Sequence, residues 1–159
     1  MEKIGKRIFD IFFSFLGLIF ISPLFLLVAI LIKLDSSGPI FFKQKRVGRN
    51  GKIFKIYKFR TMVKNAQEKG VNFTTPNNDS RITKIGRILR KSNIDEFPQL
   101  INVLVGEMSL VGPRAEIPKI VDLYTDKQKN RFTRILTVSA IASLEFRKEG
   151  KILSSIKDL

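Results

Sequence analysis

The most constraining feature of the sequence is the block Ile8–Ile32, which is almost entirely apolar and carries Asp10 as its only charge. As one straight α-helix it would be about 37 Å long, enough to cross a hydrocarbon core of about 30 Å. A cleaved signal peptide fits poorly, because the apolar run is too long and no small-residue cleavage site follows it. The block therefore predicts a membrane helix.

The dipeptide Ser22-Pro23 interrupts this block. A proline there removes one backbone hydrogen bond and crowds the carbonyl of Ile19, so a sharp bend is expected. The two arms, Ile8–Ile21 and Leu24–Ile32, would be about 21 Å and 14 Å long, and neither would span a bilayer alone. The block can therefore form a kinked span or a re-entrant helix.

Basic residues on both sides of the block distinguish these topologies. They are Lys3, Lys6 and Arg7 before it, and Lys33, Lys43, Lys45 and Arg46 after it. A helix that crosses the membrane would place one cluster outside, against the positive-inside tendency. A re-entrant helix keeps both clusters on the cytoplasmic side, and we favour it over the kinked span.

A β-hairpin is predicted after the block. Ile40–Val47 and Ile53–Arg60 are rich in β-branched and aromatic residues, and Asn50-Gly51 between them is a strong turn signal. Residues 33–64 are also strongly basic, with Asp35 as their only acidic residue. Such a face can simply be solvated, but its density beside a membrane block favours contact with anionic headgroups or substrate phosphates.

Short helices and a loop follow. Val71–Ser80 is polar and predicts a loop, whereas Arg81–Lys91, Ile94–Val105 and Ile117–Tyr124 predict helices. The apolar face of the first helix would be Ile82, Ile85, Ile88 and Leu89, and that of the second Phe97, Leu100, Ile101 and Leu104. Gly106 can end the second helix.

The predicted fold is therefore a membrane-associated, monotopic α+β protein with an N-terminal re-entrant helix, a β-hairpin and several amphipathic helices. We divide it into a membrane helix at 1–35, a cytoplasmic catalytic domain at 36–130 and a divergent tail at 131–159.

Composition narrows the chemistry. The net charge of +15 suggests an anionic partner. The 159 residues include no cysteine and no histidine, which excludes disulfides, thiolate metal sites and the usual general base. Any reaction must use carboxylates, lysine, arginine, serine, threonine or tyrosine.

Asp95-Glu96 is the most informative local feature. Pro98 is tolerated in the first turn of a helix, so the helix should begin near Asp95 and place both carboxylates at its N-terminus. Arg87, Arg90 and Lys91 precede the pair. An ionised Asp95 in such a setting could bind Mg²⁺ or attack phosphorus. An aspartate at a helix start is, however, more often a cap, and the residues alone leave both interpretations open.

Motifs along the chain resemble those of the bacterial sugar transferase family, the monotopic polyprenol-phosphate phosphoglycosyl transferases. They are Lys6–Asp10, Ser22-Pro23, Gly38–Gly48, Lys58–Met62, Asp79–Thr83, Asp95–Leu100, Asn102-Val103 and Met108–Arg114. The resemblance covers about residues 3–116, and the motifs occur in the family's order.

The resemblance implies an enzyme with a re-entrant helix broken at Ser22-Pro23, on the cytoplasmic face of the bacterial inner membrane. The catalytic pair would be Asp95 and Glu96, which would also hold Mg²⁺. Asp95 would attack the β-phosphate of a UDP-sugar, UMP would leave, and a polyprenol phosphate would take the phosphosugar from Asp95. The implied partners are these two substrates and membrane lipids, with no nucleic acid.

The resemblance also implies a set of side chains that bind substrate phosphates. They are Lys58, Arg60, Arg81, Arg90 and Arg114. Two rival interpretations predict other functions. A basic, membrane-anchored nucleic-acid module fits the charge but gives no reason for Asp95-Glu96 beside Pro98. An inactive relative could act as a membrane-bound binding or regulatory protein.

The tail motivates the second rival. The family continues with a Lys-Pro-Gly-Ile-Thr-Gly segment, which residues 131–159 lack, and Ser80 stands where the family usually has proline. Since a Pro-Gly loop has backbone geometry that β-branched residues copy poorly, we expect the altered tail to lower activity.

Overall fold

A computed structural model describes residues 4–66, 79–112, 114–122, 124–125 and, for the backbone, 137–139. Its helices are α1 (Ile4–Asp35), α2 (Lys84–Ser92), α3 (Gln99–Val105) and α4 (Pro118–Val121), and its strands are β1 (Phe41–Val47), β2 (Ile53–Phe59), β3 (Ser109–Val111) and β4 (Thr137–Ser139). The α+β prediction is confirmed. Most of the predicted loop Val71–Ser80 and, apart from β4, the tail at 131–159 lie outside the described residues.

Helix α1 continues through Pro23 without a change to non-helical structure. Pro23 has no N–H for the carbonyl of Ile19, and the Ser22 hydroxyl donates to that carbonyl instead, at 2.8 Å. The two arms predicted from Ser22-Pro23 are thus joined in one helix.

Both ends of α1 contact the neighbouring helices α2 and α3. Near the start, the Arg7 guanidinium donates to the carbonyls of Val103 and Leu104 in α3, at 2.6 and 2.8 Å. At the end, Asp35 accepts from the N–H of Ile85 in α2, at 2.9 Å. Only six residues, 93–98, join α2 to α3. The start and the end of α1 therefore both contact the α2–α3 pair.

The second half of α1 supplies part of the core. Val28 and Ile32 are buried against Phe59 of β2 and Leu89 of α2. Phe25 adds an edge-to-face contact with Phe59, with ring centroids 5.0 Å apart. Elsewhere α1 exposes large apolar side chains along its length: Ile4, Ile8, Phe9, Ile11, Phe12, Phe13, Phe15, Ile19, Phe20, Leu26, Leu27, Ile30 and Leu34. By length and composition, α1 could cross a membrane.

The β-hairpin prediction is confirmed. Strands β1 and β2 pair antiparallel, from Phe41 opposite Phe59 to Val47 opposite Ile53. The connection contains Asn50 and Gly51 with φ of 55° and 76°, the left-handed conformation that this dipeptide adopts readily. Ile56 of the hairpin forms a second buried cluster with Val103 and Met108. The hairpin thereby lies against α3 and the start of β3.

Helix α2 begins three residues later than the predicted Arg81. Thr83 is its N-cap, and its hydroxyl accepts from the N–H of Gly86 at 2.9 Å. Leu89 is buried as predicted, but Ile88 is 62% exposed. The predicted face is therefore wrong at Ile88.

Helix α3 also begins later than predicted. Ile94–Glu96 forms a separate 3₁₀ turn, and α3 starts at Gln99 and ends, as predicted, at Gly106, whose φ is 93°. Its buried side chains are Gln99, Asn102 and Val103. The predicted stripe of Phe97, Leu100, Ile101 and Leu104 is only half-buried. Leu100 faces Gly17 of α1, so part of this stripe packs against α1 rather than in the core.

Asn102 explains why α3 buries a polar side chain. Its amide donates to the carbonyl of Lys55 at 2.8 Å and accepts from the N–H of Tyr57 at 3.0 Å. The side chain thus takes the place of a neighbouring strand along β2. A fully buried amide with these partners fixes α3 against the hairpin.

We predict that Gly86→Ala destabilises the fold. A Cβ at Gly86 would overlap the backbone carbonyl of Thr61, which cannot move without shifting the end of the hairpin. Overpacking of this kind costs about 1–3 kcal/mol, so the thermal midpoint in detergent should fall. Gly5→Ala is the matched control, because a Cβ at Gly5 meets nothing within 4 Å. Equal midpoints for the two variants would contradict the prediction.

Candidate active site

The turn between α2 and α3 presents Asp95 and Glu96. Asn93 ends α2 in the left-handed conformation, with φ of 57°, and reverses the chain into the 3₁₀ turn. The N–H of Glu96 donates to the carbonyl of Asn93 at 3.2 Å. Asp95 is 8% exposed, and Gln99 and Asn102 hold the following helix in the interior. The two carboxylates therefore lie in a turn that the packing of α3 holds in place.

Two cations hold the Glu96 carboxylate. Lys58 Nζ of β2 lies 2.6 Å from Oε1, and Arg114 Nη2, beyond β3, lies 3.0 Å from the same oxygen. Burial by itself raises the pKa of Glu96, but the charges of Lys58 and Arg114 outweigh it, and the pKa is lowered. Glu96 is therefore an ionised carboxylate with one oxygen engaged.

Asp95 has the opposite electrostatic balance. Burial raises the pKa of Asp95, and the nearby positive charges of Lys58 and Arg90 oppose that effect without cancelling it. A cation placed beside Asp95 would favour its ionised form. Two adjacent carboxyl groups with pKa values shifted in opposite directions are suited to different roles.

Arg90 and Arg81 lie on the α2 side of the pair. Arg90 Nε donates to the Thr61 hydroxyl at 2.9 Å, and the charges of Asp95 and Asp79 both act on its guanidinium. The Arg81 guanidinium donates to both carboxylate oxygens of Asp79 at 2.6–3.1 Å. These hydrogen bonds lower the pKa of Asp79 to about 2. The charge of Arg90 thus acts on Asp95 without a direct ion pair between them, whereas Arg81 is paired with Asp79.

Arg60 is used differently from the predicted phosphate ligand. It is 6% exposed, and its guanidinium donates to the carbonyls of Ser36 and Ser37 at 2.6 and 3.0 Å. A longer contact, of 3.4 Å, reaches the carbonyl of Ile32. The carbonyls of Ser36 and Ser37 belong to the turn that follows α1, so Arg60 ties this turn to the end of β2. This geometry gives Arg60 a structural role.

A cleft beside Glu96 contains two side chains that the sequence did not mark as functional, Arg46 and Gln99. The cleft is lined by Arg46, Ile56, Lys58, Gln99, Met108, Arg114 and Ala115. Arg46 donates to the carbonyl of Ala115 at 3.0 Å and to Gln44 Oε1 at 2.9 Å. Within the described part of the chain, its buried Nε has no hydrogen-bond partner.

The alternation of residues along the strands could have identified Arg46 as a residue on the same face of the hairpin as Lys58. Alternate residues of a strand share one face, and Arg46 pairs with Phe54 while Gln44 pairs with Ile56 on the inner face of the hairpin. Lys58 belongs to the same face. Gln99 belongs to the Asp95–Leu100 motif, but the sequence does not reveal its burial, which depends on how α3 packs against the hairpin.

The pair can contribute to a magnesium site but does not complete one. Among the residues that the structure describes, no three histidine, cysteine, aspartate or glutamate side chains are grouped as metal ligands. Mg²⁺ is commonly bound by one or two carboxylates together with substrate phosphates and water. Asp95 and Glu96 could therefore supply only part of a magnesium site, and Mg²⁺ stays a prediction.

Comparison with known proteins assigns the family. The sequence profile of bacterial sugar transferases matches residues 1–146. The chain belongs to the bacterial sugar transferase family. The match extends beyond the motifs, the last of which ends at Arg114, so part of the tail at 131–159 still aligns with the family.

Three relatives illustrate the similarity. The exopolysaccharide production protein PSS of Rhizobium leguminosarum bv. phaseoli is 54% identical over 114 residues, 72% of this chain and 57% of that protein. A Bacillus subtilis (strain 168) protein, named provisionally as an undecaprenyl-phosphate N-acetylgalactosaminyl 1-phosphate transferase, is 42% identical over 149 residues, 92% of this chain and 80% of that protein. The UDP-glucose:undecaprenyl-phosphate glucose-1-phosphate transferase of Escherichia coli (strain K12) is 46% identical over 114 residues, 72% of this chain and 24% of that protein.

The chain therefore spans 57% of the Rhizobium relative and 24% of the Escherichia coli relative. By their names, the Bacillus subtilis and Escherichia coli relatives transfer sugar phosphates to undecaprenyl phosphate. Sugar-phosphate transferases are thus among the proteins that this chain resembles.

We predict that Arg60 and Arg114 differ in their effects on stability. Arg60→Ala would remove the donors that bind the carbonyls of Ser36 and Ser37 in the turn after α1, and should lower the unfolding free energy by about 1–3 kcal/mol. Arg114→Ala removes a half-exposed ion pair and should change the unfolding free energy by about 1 kcal/mol or less. Thermal unfolding of both variants in detergent measures the difference. A larger loss for Arg114→Ala would show that these roles are reversed.

Proposed function

We propose that this protein transfers a phosphosugar from a UDP-sugar to a polyprenol phosphate, at the cytoplasmic face of the bacterial inner membrane. The observation that carries the proposal is the Asp95-Glu96 pair, set beside Lys58, Arg90 and Arg114 in a member of the bacterial sugar transferase family. The names of relatives support the lipid acceptor and the sugar phosphate.

In the first step, a carboxylate oxygen of Asp95 attacks the β-phosphorus of the UDP-sugar. The bond from that phosphorus to the bridging oxygen breaks, and UMP leaves with the electron pair. A carboxylate needs no general base for this attack, which suits a chain without histidine. The sugar phosphate remains on Asp95 as an acyl phosphate.

In the second step, a phosphate oxygen of the polyprenol phosphate attacks the same phosphorus. The bond to Asp95 breaks, the carboxylate is regenerated, and a polyprenol diphosphate sugar is released. Glu96, which Lys58 and Arg114 hold in place, positions these cations beside the phosphates. Arg90 supplies positive charge on the other side of Asp95.

The residues present fit Mg²⁺ held by Asp95 and Glu96 together with the substrate's diphosphate. When bound, the ion would neutralise negative charge that develops on the transferring and leaving phosphates. Lys58 and Arg114 would contribute in the same way from fixed positions.

We predict that Asp95→Asn lowers UMP release by more than about a thousandfold, because an amide is neither anionic nor a competent nucleophile here. Glu96→Gln should be nearly as damaging, since it weakens the hold on Lys58 and Arg114. The assay mixes the purified protein with a panel of UDP-sugars, with and without polyprenol phosphate. EDTA should stop turnover and Mg²⁺ should restore it.

Asp122→Asn is the matched control for this experiment, because it removes a carboxylate that follows α4 rather than one in the turn. Mass spectrometry without the lipid acceptor should detect a phosphosugar adduct on Asp95 of the unmodified chain. An adduct on another residue, or full activity of Asp95→Asn, would refute the nucleophile assignment.

The attachments of α1 support a re-entrant topology. Arg7 at its start and Asp35 at its end contact α3 and α2, which are joined by a short turn. A helix that crossed the bilayer would have to separate these contacts by the hydrocarbon core. A monotopic arrangement, in which the exposed apolar face of α1 dips into the membrane lipids and returns, keeps both ends on the cytoplasmic side.

We predict that cysteines at positions 3 and 45 are both protected from an impermeant thiol reagent in intact cells and both react after permeabilisation. Replacing Ser22 and Pro23 with alanine should shift the helix towards a straight span, since the bond to the Ile19 carbonyl can then form in the backbone. The chain lacks native cysteine, so the background is clean. Labelling of position 3 from outside in the otherwise unmodified chain would exclude the re-entrant topology.

The tail supports one alternative, a family member with little or no activity that acts as a membrane-bound binding or regulatory protein. The supporting observation is the lack of a Pro-Gly segment in residues 131–159. We expect a chimera with a family-type tail after Ile117 to release UMP faster than the original chain. Equal and robust turnover of the two proteins would show that the tail is a tolerated variant.

A further inference from the structure

Asp10 is a charged residue in an otherwise apolar helix. It is only 2% exposed, although most of the surrounding helix surface is open. An ionisable residue within such a segment is costly and is retained where it has a specific partner. Its partners therefore indicate what it does.

Those partners lie at the start of β3. Asp10 Oδ2 accepts from the Ser109 hydroxyl at 2.8 Å, and Oδ1 accepts from the N–H of Leu110 at 3.1 Å. Lys6, one turn earlier in α1, contacts both Asp10 and Ser109. Ser109 is fully buried, so the bonds are shielded from water. The first turns of α1 are thus hydrogen-bonded to β3.

The segment that follows β3 carries Arg114. Its far end is attached to β1, where the N–H of Val47 donates to the carbonyl of Glu116 at 2.9 Å and Arg46 donates to the carbonyl of Ala115. The segment 109–116 is therefore held at one end by Asp10 and at the other by the hairpin. Arg114 lies between these attachments and reaches Glu96.

We propose that Asp10 is a positioning residue, which fixes β3 to the N-terminal part of α1 and thereby sets the reach of Arg114 to Glu96. The membrane helix then forms part of the support of the active site as well as its anchor. This inference rests on the proposed function, because Arg114 matters there as a charge beside the substrate phosphates. It adds that the attachment of the start of α1 to β3 controls how much positive charge lies beside Asp95 and Glu96.

A control residue stands one turn further along α1. Ser14 is fully buried like Asp10, but its hydroxyl has no hydrogen-bond partner in the described residues. Ser14→Ala therefore removes a buried polar group of α1 without disturbing β3. Asp10→Asn is the conservative variant, because its side-chain oxygen can still accept from Leu110 or Ser109, whereas Asp10→Leu removes every acceptor.

Two measurements test the proposal. In hydrogen–deuterium exchange, Asp10→Leu should raise exchange across 109–116, while Asp10→Asn and Ser14→Ala should resemble the unmodified chain. In UMP release, Asp10→Leu should lower kcat/KM by about tenfold, as expected for the loss of bonds to a charged acceptor, and Asp10→Asn should recover most of that loss. If Asp10→Leu fails to fold, Ser109→Ala removes one of the two bonds and should show the same changes at smaller size.

A double-mutant cycle with Arg114→Ala separates positioning from a general loss of structure. If Asp10 acts through Arg114, Asp10→Leu should lower activity little further once Arg114 is absent. The proposal would be overturned if the activity losses of the two single variants multiply fully in the double variant. Unchanged hydrogen exchange across 109–116 in Asp10→Leu would also overturn it. Absence of UMP release by the unmodified chain would instead count against the proposed function, and the exchange measurement would still decide whether Asp10 anchors the segment.

Discussion

The attachment of α1 to the rest of the protein relies on polar bonds near its two ends. Val28 and Ile32 are the buried apolar side chains of α1, so hydrophobic burial holds only part of this helix. At its end, Asp35 bonds to α2, and Arg60 binds carbonyls of the turn that follows. At its start, Arg7 and Asp10 bond to α3 and β3. These attachments hold α1 to α2, α3 and β3 while most of its apolar surface stays exposed.

The active site depends on the same arrangement, because its cations come from different elements. Lys58 belongs to β2, Arg90 to α2, and Arg114 follows β3. In the proposed function, two phosphate-bearing substrates meet at a carboxylate, and this excess of positive charge would offset their negative charge. Since each cation is held by a separate element, packing among those elements determines the electric field at Asp95.

The high positive charge of the chain serves two purposes. Arg7 and Arg60 donate mainly to carbonyls at helix ends, and Arg81 is held by Asp79. Lys58 and Arg114, in contrast, converge on Glu96 at the edge of the cleft. The planar guanidinium supports the first purpose well, since its donors can reach several carbonyls at once. Net charge therefore points to anionic partners but does not identify the residues that meet them.

Local patterns in the sequence determined α1, the hairpin with its Asn50-Gly51 turn, the end of α3 at Gly106 and the Asp95-Glu96 pair in its family context. These features depend on hydrophobic runs, turn chemistry and motifs, which neighbouring residues encode directly. Tertiary structure alone decided that Arg60 binds the carbonyls of the turn after α1, that Arg114 reaches Glu96 and that Asp10 holds β3. It also decided that Gln99 and Asn102 form the buried face of α3. The physical reason is that a polar side chain takes its role from its partner, and residues such as Asp10 and Ser109 become partners only when distant segments pack together.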